Sequence, residues 1–120
     1  MKCSRVFGVG VLCFAAAAAN AVTYSAKDAV DHIGESATVC GSVAGAKYAT
    51  SVKGKPTFLN LDQAYPHQVF TALVWGSDRK AFSSPPESLS GHNICVTGTI
   101  TEHKGKAEII VRSPDAITEK

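Results

Sequence analysis

Two kinds of side chain in this sequence suit a flat, charged ligand: aromatic rings among polar strand residues, and lysines gathered in two short stretches. "KPTFLNLD" (55–62) alternates, with Leu59 and Leu61 on one face and Phe58 and Asn60 on the other. Leucines at that spacing belong to a core, so the pattern predicts that Phe58 and Asn60 face water. A ring in that position can stack on a planar ligand, and the amide beside it can hydrogen-bond the ligand's edge. Trp75 and Tyr48 are further candidates for a stacking platform. Packing in the core or at its rim is the competing role for Trp75. Lys47, Lys53 and Lys55 lie before this stretch, and Lys104 and Lys106 lie near the end of the chain. Together they would give a positive rim, although lysines favour exposed loops in any protein.

Other chemistry finds less support. His32, His67, His92 and His103 are scattered without metal-ligand spacing, and read as solvated or turn histidines. No C-x-x-C is present, which removes thiol redox and zinc-knuckle readings. Serines are abundant, yet none sits in a nucleophile elbow. No catalytic, metal or cofactor site is expected.

Five predicted strands position the candidate residues. The first is "ATVCGSVAG" (37–45), with Val39 and Val43 on one face and Thr38, Cys40 and Ser42 on the other. A polar loop, 47–56, leads to "TFLNLD", and Tyr65 and Pro66 shape the turn that follows. "VFTALVW" (69–75) is the third strand. The segment 76–92 starts like a capped helix, with Ser77 or Asp78 at the cap and Phe82 as core anchor, and Pro85 and Pro86 stop it. "NICVTGTITE" (93–102) is the fourth strand, "HKGK" turns, and "AEIIVRS" (107–113) is the fifth. A short helical or turn-like lead-in over 25–36 precedes them. Five strands with one helix between the third and fourth is the order of an all-β OB-fold barrel. Mid-strand glycines, Gly41 and Gly98, suit its sharp coil, with a plain open antiparallel sheet as the alternative.

The first residues stand apart. Lys2 and Arg5 precede "VFGVGVLCFAAAAA", and "ANA" (19–21) fits a small-x-small cleavage site, so residues 1–21 read as a secretory signal peptide. A membrane anchor is the alternative, but it needs roughly 20 apolar residues. One domain remains at 22–120, secreted or periplasmic and without membrane attachment once the leader is cleaved. Without Lys2 and Arg5 the 12 basic residues become 10, equal to the 10 acidic ones. Global charge therefore gives no affinity for polyanions, and any such affinity must be local. Cys3 and Cys13 leave with the leader, and Cys40 and Cys95 remain. In an OB barrel the first and fourth strands are neighbours, and both cysteines share the outward parity. They are expected to form a disulfide closing a loop of about fifty residues, with a stabilisation of roughly 3 to 4 kcal/mol.

"FLNLD", "FTALVW" and "LSGHNICVTGTITEHKGKAEIIV" resemble OB-fold nucleic-acid-binding domains of the anticodon-binding type. They are also similar to small exported single-domain OB proteins, grouped with OB modules that accompany extracellular nucleases. The likeness spans residues 37–117. It implies that Phe58 stacks on a base, with Asn60 beside it. Asp62 follows Leu61 directly, without the basic residue that the family places between them, so stacking is what carries over. Nucleases that share the barrel need several carboxylates for calcium and arginines at the phosphate. Asp62, Asp78, Arg79 and the distant Arg112 form no such cluster in the sequence. The expectation is a non-enzymatic module binding single-stranded DNA or RNA, or an oligonucleotide-like anion. A protein-interaction or oligosaccharide-binding OB domain is the alternative, because this fold does not choose its ligand.

Overall fold

Alternation of apolar and polar residues gives each strand one face to bury, and the strands combine accordingly. The computed structural model describes residues 22–120; the leader expected over 1–21 lies outside them. The strands are β1 (Thr23–Ser25), β2 (Ser36–Tyr48), β3 (Thr57–Leu61), β4 (Phe70–Val74), β5 (Asn93–Thr99), β6 (Thr101–His103), β7 (Lys106–Ile110) and β8 (Ile117–Glu119). They form one eight-stranded sheet in the order β6-β7-β4-β3-β2-β5-β8, with β1 also paired to β2.

This corrects the closed five-stranded barrel. The fold is all-β, and the expected strands are present as β2, β3, β4, β5–β6 and β7. The order is open, however: among the described residues no ladder joins β5 to β7. β1 and β8 extend the sheet beyond the expected set. The expected fourth strand splits at Ile100, which is fully buried. There the backbone N–H of Ile100 donates to Glu35 O at 2.9 Å, and its carbonyl accepts from Gly34 N–H at 2.7 Å. Residues 34 and 35 thus occupy both groups and interrupt the ladder. Before the break β5 pairs with β2; after it β6 pairs with β7.

β2 serves both halves of the sheet. Its first half pairs antiparallel with β5 and its second half with β3, and the register shifts between Val43 and Gly45. Such a shift bends and twists a strand locally. The mid-strand glycines answer to close approach. A Cβ at Gly98 would lie 2.7 Å from Ile109 Cγ2, and one at Gly41 would lie 2.8 Å from Asp62 Oδ1. The inner face carries Val39, Val43, Leu59, Leu61, Phe70, Ile94, Val96 and Ile109, all buried. Burying each removes apolar surface worth roughly 1.5–3 kcal/mol from water.

The capped helix expected over 76–92 is instead two 3-10 turns, Gly76–Ala81 and Pro86–Leu89. The first starts at Trp75, without a side-chain cap, rather than at Ser77 or Asp78. Pro86 opens the second turn rather than ending a helix, as its fixed φ and missing N–H suit a first helical position. Phe82 packs partly buried against the core. The lead-in is a third 3-10 turn, Ala26–His32.

Cys40 and Cys95 are direct cross-strand partners and are disulfide-bonded. The next pair on that face, Thr38 and Thr97, joins its hydroxyls at 2.7 Å. Two histidines fasten peripheral strands. His32 Nδ1 meets Glu35 Oε2 at 2.7 Å and its ring stacks on Tyr24, whose hydroxyl donates to Glu35. His92 Nδ1 meets Glu119 Oε1 at 2.7 Å, beside β8. The hydrogen bonds from Tyr24 and His32 hold the Glu35 carboxyl below the usual range.

Candidate ligand-binding surface

β3 lies near the middle of the sheet, and its outer face holds the residues predicted to meet a ligand. Phe58 pairs with Lys47 on β2 and with Leu73 on β4, and Leu73 pairs with Ile110 on β7. This row runs from a lysine across an aromatic ring to two aliphatic side chains. Phe58 is half-buried, opposite in direction to the buried Leu59 and Leu61. Lys47 is exposed, but it stands in β2 and not in the loop where the sequence placed it. Tyr48 likewise ends β2.

The adjacent outer row is Gly45, Asn60, Thr71 and Glu108. Asn60 was expected to face water and is 5% exposed. Loop 62–69 folds back over this row: Ala64 Cβ stands 3.6 Å from where a Cβ on Gly45 would be. Beneath it, Gln68 Nε2 donates to Thr71 Oγ1 at 3.3 Å, and Thr71 donates to Asn60 Oδ1 at 3.0 Å. Gln68 Oε1 is buried without a partner. Lys106 ties the loop down, its Nζ donating to Pro66 O at 2.7 Å and Gln68 O at 2.9 Å. It opens β7 and holds two carbonyls, so it is a brace rather than part of a free basic rim. Lys104 sits in the β6–β7 hairpin turn at φ +54, followed by Gly105 at φ +82, both left-handed as tight hairpins require. Burial raises the Glu108 carboxyl above its usual range, against the opposing charge of His103. Glu108 was missed from the sequence, where it reads as one polar residue of an alternating strand.

At the other end of β3 a cleft opens between Tyr48 and Trp75. Gly54, Lys55, Gly76 and Ser77 complete its lining; it is wide open to solvent, with a volume of about 570 Å³. Gly54 packs on the indole edge: a Cβ there would lie 2.8 Å from both Cε3 and Cζ3 of Trp75. Gly76 N–H donates to Gly54 O at 2.9 Å and joins loop 49–56 to the turn after Trp75. Three predicted residues, Tyr48, Lys55 and Trp75, therefore meet here, and Lys53 follows on the same loop. Lys104 and Lys106 are at the opposite end of β3, about 13 Å away along the strand at 3.3 Å per residue.

Arg79 shapes this end. Its guanidinium carbon lies 3.5 Å from the Tyr48 ring centroid, and Nη1 donates to Thr57 Oγ1 at 2.6 Å. Both terminal nitrogens reach Glu87, at 2.7 and 3.2 Å. That bidentate hydrogen bonding holds the Glu87 carboxyl below its usual range and raises the already basic guanidinium. One face of Tyr48 is therefore covered, and the Arg79 charge is neutralised. No residue pattern pointed to this contact, because Arg79 and Glu87 are separated by a serine–proline stretch with no periodicity.

Asp62 and Arg79, both weighed for nuclease chemistry, do not converge. Asp62 turns to its own neighbour strand, its Oδ1 accepting from Ser42 N–H at 3.1 Å. Arg79 is bound as described, on a different end of the sheet from Asp62. Among the described residues no group of three or more His, Cys, Asp or Glu side chains is placed to hold a metal ion.

No family model matches the chain, and no curated protein sequence matches it. Among solved structures it is similar to a protein described as an aspartyl-tRNA synthetase from Leishmania major Friedlin, at 13% identity and a TM-score of 0.51. The alignment covers 84% of this chain and 21% of that one, so the chain spans about a fifth of that protein's length. At this identity the likeness shows an OB-like fold alone.

Proposed function

We propose that this chain is an exported binding module that takes single-stranded nucleic acid across the outer face of the sheet, at the Thr57 end of β3. The observation that carries the reading is the half-buried, outward-facing Phe58 ring in register with Lys47, beside the loop that bears Lys53 and Lys55. A base stacked on such a ring gains roughly 1–3 kcal/mol whatever its identity, and lysines along the strand take its phosphates. The OB-like fold is compatible with this use, and so is the match to part of a synthetase, though neither selects a ligand. Export is supported by the leader-like residues 1–21 and by the cystine.

The test is an anisotropy titration of the oxidised protein with a labelled single-stranded oligonucleotide at rising salt. Binding should weaken steeply with salt, and Phe58→Ala should weaken it by about 1–3 kcal/mol. Affinity for oligosaccharide or protein that ignores salt, without strand binding, would move the assignment to the alternative class. No strand binding at low salt ends the proposal.

A further inference from the structure

We infer that the cleft between Tyr48 and Trp75 is a pocket for one nucleotide unit, able to hold a mononucleotide that touches nothing else on the protein. The inference rests on the nucleic-acid reading and deepens it at the Thr57 end of β3. Tyr48 and Thr57 are cross-strand partners, and Thr57 points into the core; Phe58 points the opposite way. Phe58 does not line the cleft but Lys55 does, so the lysine is the residue that a ligand in the cleft and a strand on Phe58 share.

Size comes first. About 570 Å³ lies within the range of small-molecule pockets and is too little for several nucleotides. The walls are also fixed. The hydrogen bond from Gly76 N–H to Gly54 O binds one wall to the other, and Gly54 leaves no room for its loop to close further on Trp75. Arg79, held by Glu87 and Thr57, backs the Tyr48 ring. Little ordering is then needed on binding, which favours a small ligand.

Chemistry follows from what the lining leaves unpaired. Arg79 is neutralised by Glu87, so the free cation on the cleft is Lys55, which forms no ion pair among the described residues. Ser77 contributes a hydroxyl. An aromatic floor, one ammonium and one hydroxyl match a planar ring that carries a single anionic group.

Trp75 is the sole tryptophan, so its fluorescence reports the cleft. Adenosine 5′-monophosphate should quench it saturably, with a dissociation constant near or below about 1 mM. Adenosine, lacking the phosphate, should bind about tenfold more weakly, and so should AMP to Lys55→Ala. Phe58→Ala should leave AMP affinity within about twofold, since that ring does not line the cleft. Equal affinity for AMP and adenosine overturns the inference. So does an absence of saturable quenching up to about 10 mM AMP. If an oligonucleotide still binds in a Phe58-dependent way, the strand reading survives that failure; if neither binds, both fall.

Discussion

The two ends of β3 carry similar side chains and put them to opposite uses. At the Leu61 end a lysine, two amides and a hydroxyl turn towards one another: Lys106 holds loop carbonyls, and Gln68, Thr71 and Asn60 form a chain beneath the loop. At the Thr57 end Lys53 and Lys55 form no ion pair among the described residues, and two rings flank an open cleft. The difference lies in what covers each end. Loop 62–69 folds back over its row, so polar groups there must find partners within the protein. Loop 49–56 is instead tied beside the sheet through Gly54 and Gly76, and leaves its lysines to solvent. Residue type alone does not separate a lysine left to solvent from a brace; the path of the neighbouring loop does.

Thr71→Val should test the contrast most strongly. It removes the middle of the buried chain and leaves Asn60 Oδ1 and Gln68 Nε2 without partners, at about 1–3 kcal/mol each. Thermal or urea unfolding should register the loss while strand affinity, corrected for the folded fraction, stays unchanged. A fall in affinity without a fall in stability would reverse the roles given to the two ends.

The double change Lys53→Ala, Lys55→Ala should do the converse. Stability should hold within about 0.5 kcal/mol, as for ordinary surface positions. The slope of log affinity against log salt should become shallower by about 0.7 for each phosphate contact removed. An unchanged slope would mean that these lysines are merely solvated.

Glu108→Gln is the smallest effect and sharpens the account of the covered end. Burial raises the folded-state pKa of Glu108 above its unfolded value. Its contribution is then greatest below the unfolded value, where both states are protonated, and is lost as pH rises through the folded one. Glutamine stays neutral, so the variant should be more stable than wild type near neutral pH, by an amount at the small end of single-substitution effects. The difference should vanish below the ordinary carboxylate range. Melting temperature against pH reads this directly, and a constant offset at all pH values would assign the effect to packing instead.

Alternation made much of the fold legible. Leu59, Leu61, Val39 and Val43 sit inside as their spacing required, and the shared parity of Cys40 and Cys95 matched their pairing. Parity also placed Phe58 correctly on the outer face. It could not place Asn60 in solvent, because a period of two reports the side of the sheet and not what lies over that side. The break at Ile100 was hidden for a related reason. Its cause is a hydrogen-bonding demand from Gly34 and Glu35, far away in sequence. The capped helix failed on local grounds, since prolines at 85 and 86 limit how many helical hydrogen bonds the segment can make. Arg79 appeared in the sequence only as a weak nuclease candidate, because its partners Thr57, Glu87 and Tyr48 come from three separate segments.

The Cys40–Cys95 bond encloses 55 positions of chain separation, and Tyr48, Lys53, Lys55, Phe58, Trp75 and Arg79 all lie inside that covalent ring. Lys104 and Lys106 lie outside it. A protease that nicks loop 49–56 or loop 62–69 therefore releases nothing: the two pieces stay joined through sulfur and travel as one species until a reductant arrives. In an oxidising compartment, a single cut at either exposed loop leaves the molecule at its original mass plus one water, with both halves of the proposed binding surface still in one particle.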